Sequence, residues 1–443
     1  MNYFNSLFSE LNKNGIHYSV LRNWETLPDS SGGHDIDIWV RKEDLKVFLY
    51  ILESVANDYC GEKVSCVYSK DCPRYIYMGN DWGIQYDVHV EDAQYRNAAY
   101  MKCSIIDNHT SIHNGVRVLD SKIDGLISFF KEILNNGTCK KEYCENASRV
   151  IEETDNAALD SYLDCFSGKT RTLLVETLKE RDYSSKRLIK VRKKCVSEIQ
   201  SISSISSYYM QRLVRIWNAV SLFGSRTRPG YVIAVMGTDG SGKSTIIESI
   251  TPWLDEAFHH GVTYKHLRPT LFKDLGVLVG KRKAEPNRVV TNPHAHKPSG
   301  LIGSLVKWSY YLLDYILGYF KTIWPQVSFK CKLFIFDRYY YDYYIDQRRL
   351  GISLPKWLIR IGEVFVPKPD LVICLGGDTQ KIYERKPETS LDEVSRQVNA
   401  LQVFCAKRKN AVWVDTTVTP EQSIAASKKA ILEMMGKRFS NKK

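Results

Sequence analysis

The C-terminal half of the chain alternates short apolar runs with longer segments that repeat apolar residues at helical spacing. Strands that alternate with helices in this way form a parallel sheet with helices on both faces. The predicted strands cover residues 231–236, 262–267, 332–337, 370–375 and 411–415. We therefore expect a doubly wound α/β domain at residues 229–443.

The N-terminal half has a mixed pattern that is typical of an α+β domain. Helical spacing occurs at residues 3–11 and 43–56, and strand-like runs lie between and after these segments. From residue 118 we predict helix, with Gly137 as a stop signal. The predicted strands cover residues 16–21, 34–40, 64–68, 74–78 and 83–90. We assign residues 1–138 to this first domain.

Between the two domains, residues 139–228 are predicted to be helical, polar and basic. The net charge of the chain is +12, and residues 169–228 hold fourteen Lys/Arg against four Asp/Glu. Two interpretations stay open, a solvated helical connector or a surface for an anionic polymer, a phosphate-rich substrate or membrane headgroups. The basic run at 186–194 contains no aromatic residue, which favours the connector over a nucleic-acid surface.

Length and composition are typical of a globular protein with two or three domains, because 443 residues exceed one ordinary core. The N-terminus has no pattern of a signal peptide. Eleven cysteines without a Cys-x-x-Cys pair indicate reduced thiols and a cytoplasmic location. Lys307 and Asp314 interrupt the apolar run at 301–324, so we expect a buried or substrate-facing helix there and no transmembrane segment.

A phosphate-binding loop follows the first predicted strand of the C-terminal domain. The sequence fits G-x-x-x-x-G-K-[ST] between an apolar run and a helix, which is the context that this motif requires. We expect Lys243 to reach the β- and γ-phosphates of ATP and Ser244 to ligate Mg²⁺. The residues of the expected nucleotide site are Gly237, Thr238, Asp239, Gly240, Ser241, Gly242, Lys243, Ser244 and Thr245.

Residues 230–436 resemble thymidylate kinase. The resemblance is carried by the loop, by Phe336-Asp-Arg-Tyr339, by the run at 369–375 and by a lid-like segment at 383–388. It implies that Asp337 lies near Mg²⁺ and phosphate, and that Arg338 and Tyr339 contact the phosphate acceptor. The loop itself contains no arginine, so an arginine that acts on the transferring phosphoryl group must come from the lid. We expect Arg385 in this role, with Lys386 and Arg396 as alternatives.

The acceptor pocket departs from the family pattern. Where thymidylate kinases carry Arg-Glu-Pro-Gly-Gly, this chain has Arg268-Pro-Thr-Leu, followed by a long segment at 272–328. We retain Arg268 as a substrate-binding residue and leave the acceptor open between a nucleoside monophosphate and a sugar or glycan hydroxyl. His294 and His296 are interpreted as ordinary loop histidines, because no third metal-type ligand is near them in sequence.

Three carboxylates of the N-terminal domain form a candidate metal site. Asp35 and Asp37 share one face of a predicted strand, and Asp87 lies on another strand. This arrangement resembles the nucleotidyltransferase fold of the minimal nucleotidyltransferase and DNA polymerase β type, over roughly the first hundred residues. Where the family places Gly-Ser, this chain has Leu21-Arg22-Asn23. We expect the three carboxylates to raise one another's pKa and to bind Mg²⁺ or Mn²⁺, unless the first two acids are only solvated.

These patterns together predict an ATP- and Mg²⁺-dependent kinase that phosphorylates a nucleoside monophosphate or a related small acceptor. Two alternatives stay open. One is a protein that senses nucleotide without turnover, and the other is a sugar or glycan kinase coupled to the N-terminal nucleotidyltransferase-like domain. A homodimer and contact with nucleic acid through the basic segment are also kept open, although we expect small molecules as the main partners.

Overall fold

The protein is described here by a computed structural model that covers residues 2–67, 72–95, 98–202, 228–278 and 299–440. The chain divides into two compact units, Met1–Gly224 and Ser225–Lys443. His294 and His296 lie outside the described residues.

Unit 1 is built on a seven-stranded sheet in the order β3-β4-β5-β2-β1-β9-β8, and β6 and β7 form a separate pair. The central strands β2 and β5 are parallel, and their register places Asp37 beside Asp87. Strand β4 runs antiparallel to β5 and places Arg74 beside Asp87. The strands are β1 Tyr18–Val20, β2 Ile36–Val40, β3 Glu62–Val67, β4 Arg74–Met78, β5 Gly83–Val90, β6 Ala93–Tyr95, β7 Ala98–Met101, β8 Thr110–His113 and β9 Val116–Leu119.

The prediction of helix from residue 118 was wrong at its start. Residues 116–119 form strand β9, which pairs with β8 as a hairpin and with β1 in parallel. The strand buries Val116, Val118 and Leu119 against the core. This burial favours a strand here, and the helix begins only at Asp124.

The helices of residues 141–202 pack into unit 1 instead of forming a separate connector. Their apolar stripes join the same buried cluster as Phe130 and Leu134 of α4, and they contribute Cys144, Leu174 and Val191. Polar composition on their outer faces hides this inward stripe in the sequence. The helices are α1 Tyr3–Lys13, α2 Leu45–Asp58, α3 Cys103–Asn108, α4 Asp124–Asn136, α5 Lys141–Glu153, α6 Asn156–Tyr162, α7 Gly168–Lys179 and α8 Ser185–Ile202.

Unit 2 contains a five-stranded parallel sheet in the order β11-β12-β10-β13-β14. All seven residues of the central strand β10 are buried, as expected for a strand covered on both faces. The five predicted strands are confirmed to within a residue at each end. They are β10 Tyr231–Gly237, β11 Val262–His266, β12 Leu333–Asp337, β13 Leu371–Gly376 and β14 Ala411–Asp415.

The helices of unit 2 cover its sheet. The apolar run at 301–324 forms α11 and a π-helical turn at Tyr319–Ile323; Trp308 and Tyr315 are buried, whereas Leu301 and Ile302 are exposed. Among the described residues, no helix combines the length and apolar character that crossing a membrane requires. The helices are α9 Lys243–Ala257, α10 Leu275–Leu278, α11 Leu301–Gly318, α12 Trp324–Phe329, α13 Asp342–Ile345, α14 Lys356–Phe365, α15 Thr379–Arg385, α16 Leu391–Ala406 and α17 Pro420–Ser440.

The packing of α5 on α4 depends on Gly125. A Cβ atom at this position would lie 2.7 Å from the backbone carbonyl of Asn146, in a contact that only a backbone shift relieves. We predict that Gly125→Ala destabilises unit 1 by about 1–3 kcal/mol, the usual range for overpacking. Thermal unfolding measures this effect. Gly168→Ala is the matched control, since nothing lies within 4 Å of the added carbon. Equal melting temperatures for both variants would contradict this packing.

Candidate functional site

The loop between β10 and α9 has the geometry of a phosphate cradle. Gly240 and Gly242 both have φ of +81°, which favours glycine. A Cβ atom at Gly237 would lie 2.3 Å from the Ser241 hydroxyl oxygen, so the loop closes tightly only without a side chain there. The loop ends where α9 begins at Lys243, so the N-terminal end of the helix dipole faces the cradle.

Lys243 lies buried under this loop. Its Nζ donates to the carbonyl oxygens of Gly237, at 3.1 Å, and Thr238, at 2.8 Å. Burial, together with the positive charge of Arg338, lowers the pKa of Lys243 to about 7. The amine is therefore fixed at the loop. Negative charge brought close to it, as by a bound phosphate, would stabilise its protonated form.

The loop also presents hydroxyl groups for a ligand. Within the described residues, the buried oxygens Thr238 Oγ1 and Ser241 Oγ have no hydrogen-bond partner. Buried polar groups are normally paired, so such orphaned donors indicate a place for an acceptor such as a phosphate oxygen. Ser244 and Thr245 lie exposed in the first turn of α9. This donor set fits a nucleotide phosphate with Mg²⁺ at Ser244.

Asp337 ends β12, the strand next to β10. One carboxylate oxygen accepts from the Tyr264 hydroxyl at 3.2 Å and lies 3.4 Å from His266 Nδ1, while the other is buried without a partner in the described structure. Burial acts to raise the pKa of Asp337, but the hydrogen bond from His266 and the charge of Lys243 hold it below its usual value. The carboxylate is thus ionised at neutral pH and available to a cation.

Arg338 connects this strand end to the loop. Its φ of +69° is unusual for a residue with a side chain, and its backbone N–H donates to Val235 at 2.9 Å. The buried guanidinium donates to Asp239 at 2.9 Å and to Asp342 at 3.0 Å. The predicted site residues Lys243, Asp337 and Arg338 are therefore brought together.

A second arginine at this place was not predicted from the sequence. Arg349, between α13 and α14, donates through Nη1 to the other carboxylate oxygen of Asp239. Each carboxylate oxygen of Asp239 therefore accepts from a different arginine. Burial acts to raise the pKa of Asp239, but the charges of Arg338 and Arg349 hold it well below the usual range. The acid inside the loop was a signal that a cation must lie nearby, but the sequence does not show which one.

The other predicted substrate and lid residues are not gathered around the loop. Arg268 donates to Asp314 at 2.6 Å and to the Phe272 carbonyl at 2.8 Å. Tyr339 is buried, and its hydroxyl donates to the Pro367 carbonyl at 2.6 Å. Arg385 is exposed at the C-terminal end of α15.

The segment that carries Arg385 nevertheless lies close to the loop. A Cβ atom at Gly240 would lie 2.5 Å from the Ile382 carbonyl and 3.2 Å from the Cβ of Lys386. Of the two alternative lid cations, Lys386 pairs with Glu388 at 3.2 Å and Arg396 pairs with Glu393 at 2.6 Å. Of the three, Arg385 is the one for which the described contacts show no ion pair.

In unit 1 the structure also brings the three predicted carboxylates together. Ligand oxygens of Asp35, Asp37 and Asp87 lie within 4.8 Å of one another, and all three residues are buried. Asp35 and Asp87 line a cavity of about 600 Å³, together with Arg74 and Lys131. Metal binding at this cluster stays a prediction.

The expected electrostatics of this cluster was wrong for Asp37. Burial acts to raise the pKa of Asp37, but the charges of Lys131 and Arg22 hold it well below its usual value. Both cations contact the carboxylate directly. Repulsion between carboxylates does not dominate here, because the protein supplies positive charge from other elements.

The parallel five-stranded sheet with its flanking helices makes unit 2 a mixed α/β domain, with the glycine loop at the end of β10. The chain is 30% identical over 146 residues to a probable thymidylate kinase of Pyrococcus horikoshii, and 29% identical over 146 residues to that of Pyrococcus abyssi. A probable thymidylate kinase of Thermococcus gammatolerans is 26% identical over 174 residues, which are 37% of this chain and 76% of that protein.

The match to the two Pyrococcus proteins covers 33% of this chain and 64% of their length. A crystal structure of thymidylate kinase from Ehrlichia chaffeensis aligns with 17% identity and a TM-score of 0.31, over 46% of this chain and 99% of that one. No protein-family model matches the chain. Homology to thymidylate kinases therefore extends over about a third of the chain.

The contact of Arg349 with the loop can be tested through nucleotide binding. We predict that Arg349→Ala lowers the affinity for ATP roughly tenfold, equivalent to about 1.4 kcal/mol, because it removes a positive charge next to the cradle and releases Asp239. Isothermal titration calorimetry measures this affinity. Arg348→Ala is the matched control, since Arg348 is exposed. The assignment of Arg349 to the site is contradicted if both variants bind ATP equally well.

Proposed function

We propose that unit 2 is an ATP- and Mg²⁺-dependent kinase that resembles thymidylate kinase and phosphorylates a nucleoside monophosphate or a related small acceptor. The observation that carries this proposal is the buried amine of Lys243, held on two loop carbonyls beside the orphaned hydroxyls of Thr238 and Ser241. The similarity to probable thymidylate kinases supports it. We place this activity in the cytoplasm.

The nucleotide phosphates would bind in the loop at residues 237–245. Backbone N–H groups of the glycine loop, the two hydroxyls and Lys243 would bind the phosphate oxygens. Ser244 would ligate Mg²⁺, and the free oxygen of Asp337 is the nearest ionised carboxylate on the neighbouring strand. Mg²⁺, when bound, supplies positive charge that offsets the charge developing on the phosphoryl oxygens.

The acceptor side would be organised by Arg338. Its guanidinium is held by Asp239 and Asp342, so it reaches the loop in a fixed orientation and would bind the negative charge of an acceptor phosphate. Arg268 is retained as a second substrate residue, but it would first have to exchange its contact with Asp314. Tyr339 would support the end of β12 through its buried packing and its hydrogen bond to Pro367.

Closure of the lid would bring Arg385 to the transferring phosphoryl group. The segment 382–386 lies beside Gly240, so a rotation of α15 would move the exposed Arg385 side chain toward the loop. An arginine that arrives with closure stabilises charge in the transition state while leaving ground-state binding almost unchanged. Nucleotidyl transfer in unit 1 and a homodimer stay predictions.

The central test is the loss of Lys243. We predict that Lys243→Ala lowers ATP-dependent phosphate transfer by on the order of 10²- to 10³-fold, because a preorganised cation at the phosphates is lost. The measurement is transfer of label from γ-labelled ATP to nucleoside monophosphates and sugars, assayed side by side. Circular dichroism controls for folding. Full activity in a folded Lys243→Ala protein would refute the assignment.

The lid role has a separate signature. Arg385→Ala should reduce kcat by about 10²-fold while changing ATP affinity much less, since the side chain contacts phosphate only in the closed state. Lys381→Ala on the same helix is the control, because its side chain lies toward Thr417 instead. An unchanged kcat would move the role to Arg396 or Lys386.

A further inference from the structure

The carboxylate cluster of unit 1 carries its own positive charges. Lys131 of α4 donates through Nζ to one carboxylate oxygen of Asp37, and Arg22 donates through Nε to the other. On the neighbouring strand, Arg74 donates to both oxygens of Asp87, at 2.8 and 3.2 Å. Each of these two carboxylates therefore has both of its oxygens bound by a cation of the chain.

Burial makes these contacts energetically important. The side chain of Asp37 is fully buried, and those of Arg22 and Lys131 are only 14% and 16% exposed. A charge held away from water is stable only when a partner of opposite charge compensates it. Arg22, Arg74 and Lys131 bring positive charge to Asp37 and Asp87, so these two buried carboxylates are compensated by side chains of the chain itself.

The elements that deliver the two cations on Asp37 are separate from the strand that carries it. Arg22 follows β1, which pairs with β2, and it also lies 3.4 Å from Glu132 on α4. Lys131 comes from a helix 94 residues further along the chain. His89 Nε2 lies 3.7 Å from the same oxygen that Lys131 binds. Groups from three separate elements therefore surround Asp37: Arg22 after β1, Lys131 of α4 and His89 of β5.

We infer that Lys131 and Arg22 are built-in countercations of this cluster, and that a divalent cation binds tightly there only after Lys131 is removed. Both oxygens of Asp37 are bound by cations, so a divalent ion at the three carboxylates would have to compete with Lys131 or Arg22 and would lie beside buried positive charge. The same contacts explain how three neighbouring buried acids coexist in the folded protein. This inference concerns unit 1 and is independent of the kinase activity proposed for unit 2.

The inference predicts a gain of metal binding on loss of a lysine. The full-length protein, free of nucleotide, is titrated with Mn²⁺, and free Mn²⁺ is measured by electron paramagnetic resonance. Lys131→Met should bind one Mn²⁺ at least tenfold more tightly than wild type. Lys122→Met, at an exposed position just before α4, is the matched control and should behave as wild type. Equal Mn²⁺ affinity of wild type and Lys131→Met would overturn the inference.

Thermal unfolding gives a second readout, which remains informative if Lys131→Met is destabilised. In EDTA, Lys131→Met should melt at a lower temperature than wild type, because it leaves Asp37 undercompensated, and Mn²⁺ should restore part of the loss. Adding Asp37→Asn to Lys131→Met should recover stability in EDTA and abolish the response to Mn²⁺. A double variant no more stable than Lys131→Met, or one that still responds to Mn²⁺, would contradict the role of Lys131 as a countercation.

Discussion

The candidate active centre of unit 2 depends on the ion pairs that the Asp239 carboxylate makes with two arginines. This carboxylate projects from the phosphate-binding loop, and its two oxygens are bound by Arg338 and Arg349. Because these arginines come from different segments, one carboxylate fixes the loop relative to the end of β12 and to the chain beyond α13. Its depressed pKa means that this contribution to stability is present at neutral pH and is lost as the pH falls through the carboxyl range.

The two units use the same electrostatic solution. Each places acids at or near strand ends and compensates them with arginine or lysine side chains of the same unit, Asp239 with Arg338 and Arg349, and Asp37 with Arg22 and Lys131. The difference lies in what remains open. Beside Asp239 the loop retains orphaned hydroxyls, and Asp337 retains a free oxygen, so a ligand has somewhere to bind. At Asp37 both oxygens are occupied by cations of the chain.

Much of the fold of unit 2 could be predicted from the sequence, because its signals are local. Buried parallel strands are continuous apolar runs, and the glycines of the loop follow a fixed spacing. The contacts of Arg349 with Asp239, and of Lys131 with Asp37, join residues 110 and 94 positions apart, and no periodicity reports them. The hairpin at 110–119 and the inward stripes of α5 to α8 were missed because tertiary burial, and not local preference, determines them.

We propose that unit 2 transfers the γ-phosphoryl group of ATP to a separate acceptor molecule. The most direct measurement is ADP formation by the full-length protein in Mg²⁺ with and without each member of a panel of nucleoside monophosphates and sugars. We predict that ADP formation rises strongly with at least one acceptor, and that one phosphorylated product forms per ADP. Tight binding of ATP, with ADP formation that no acceptor increases, would contradict this proposal and would indicate a protein that senses nucleotide instead.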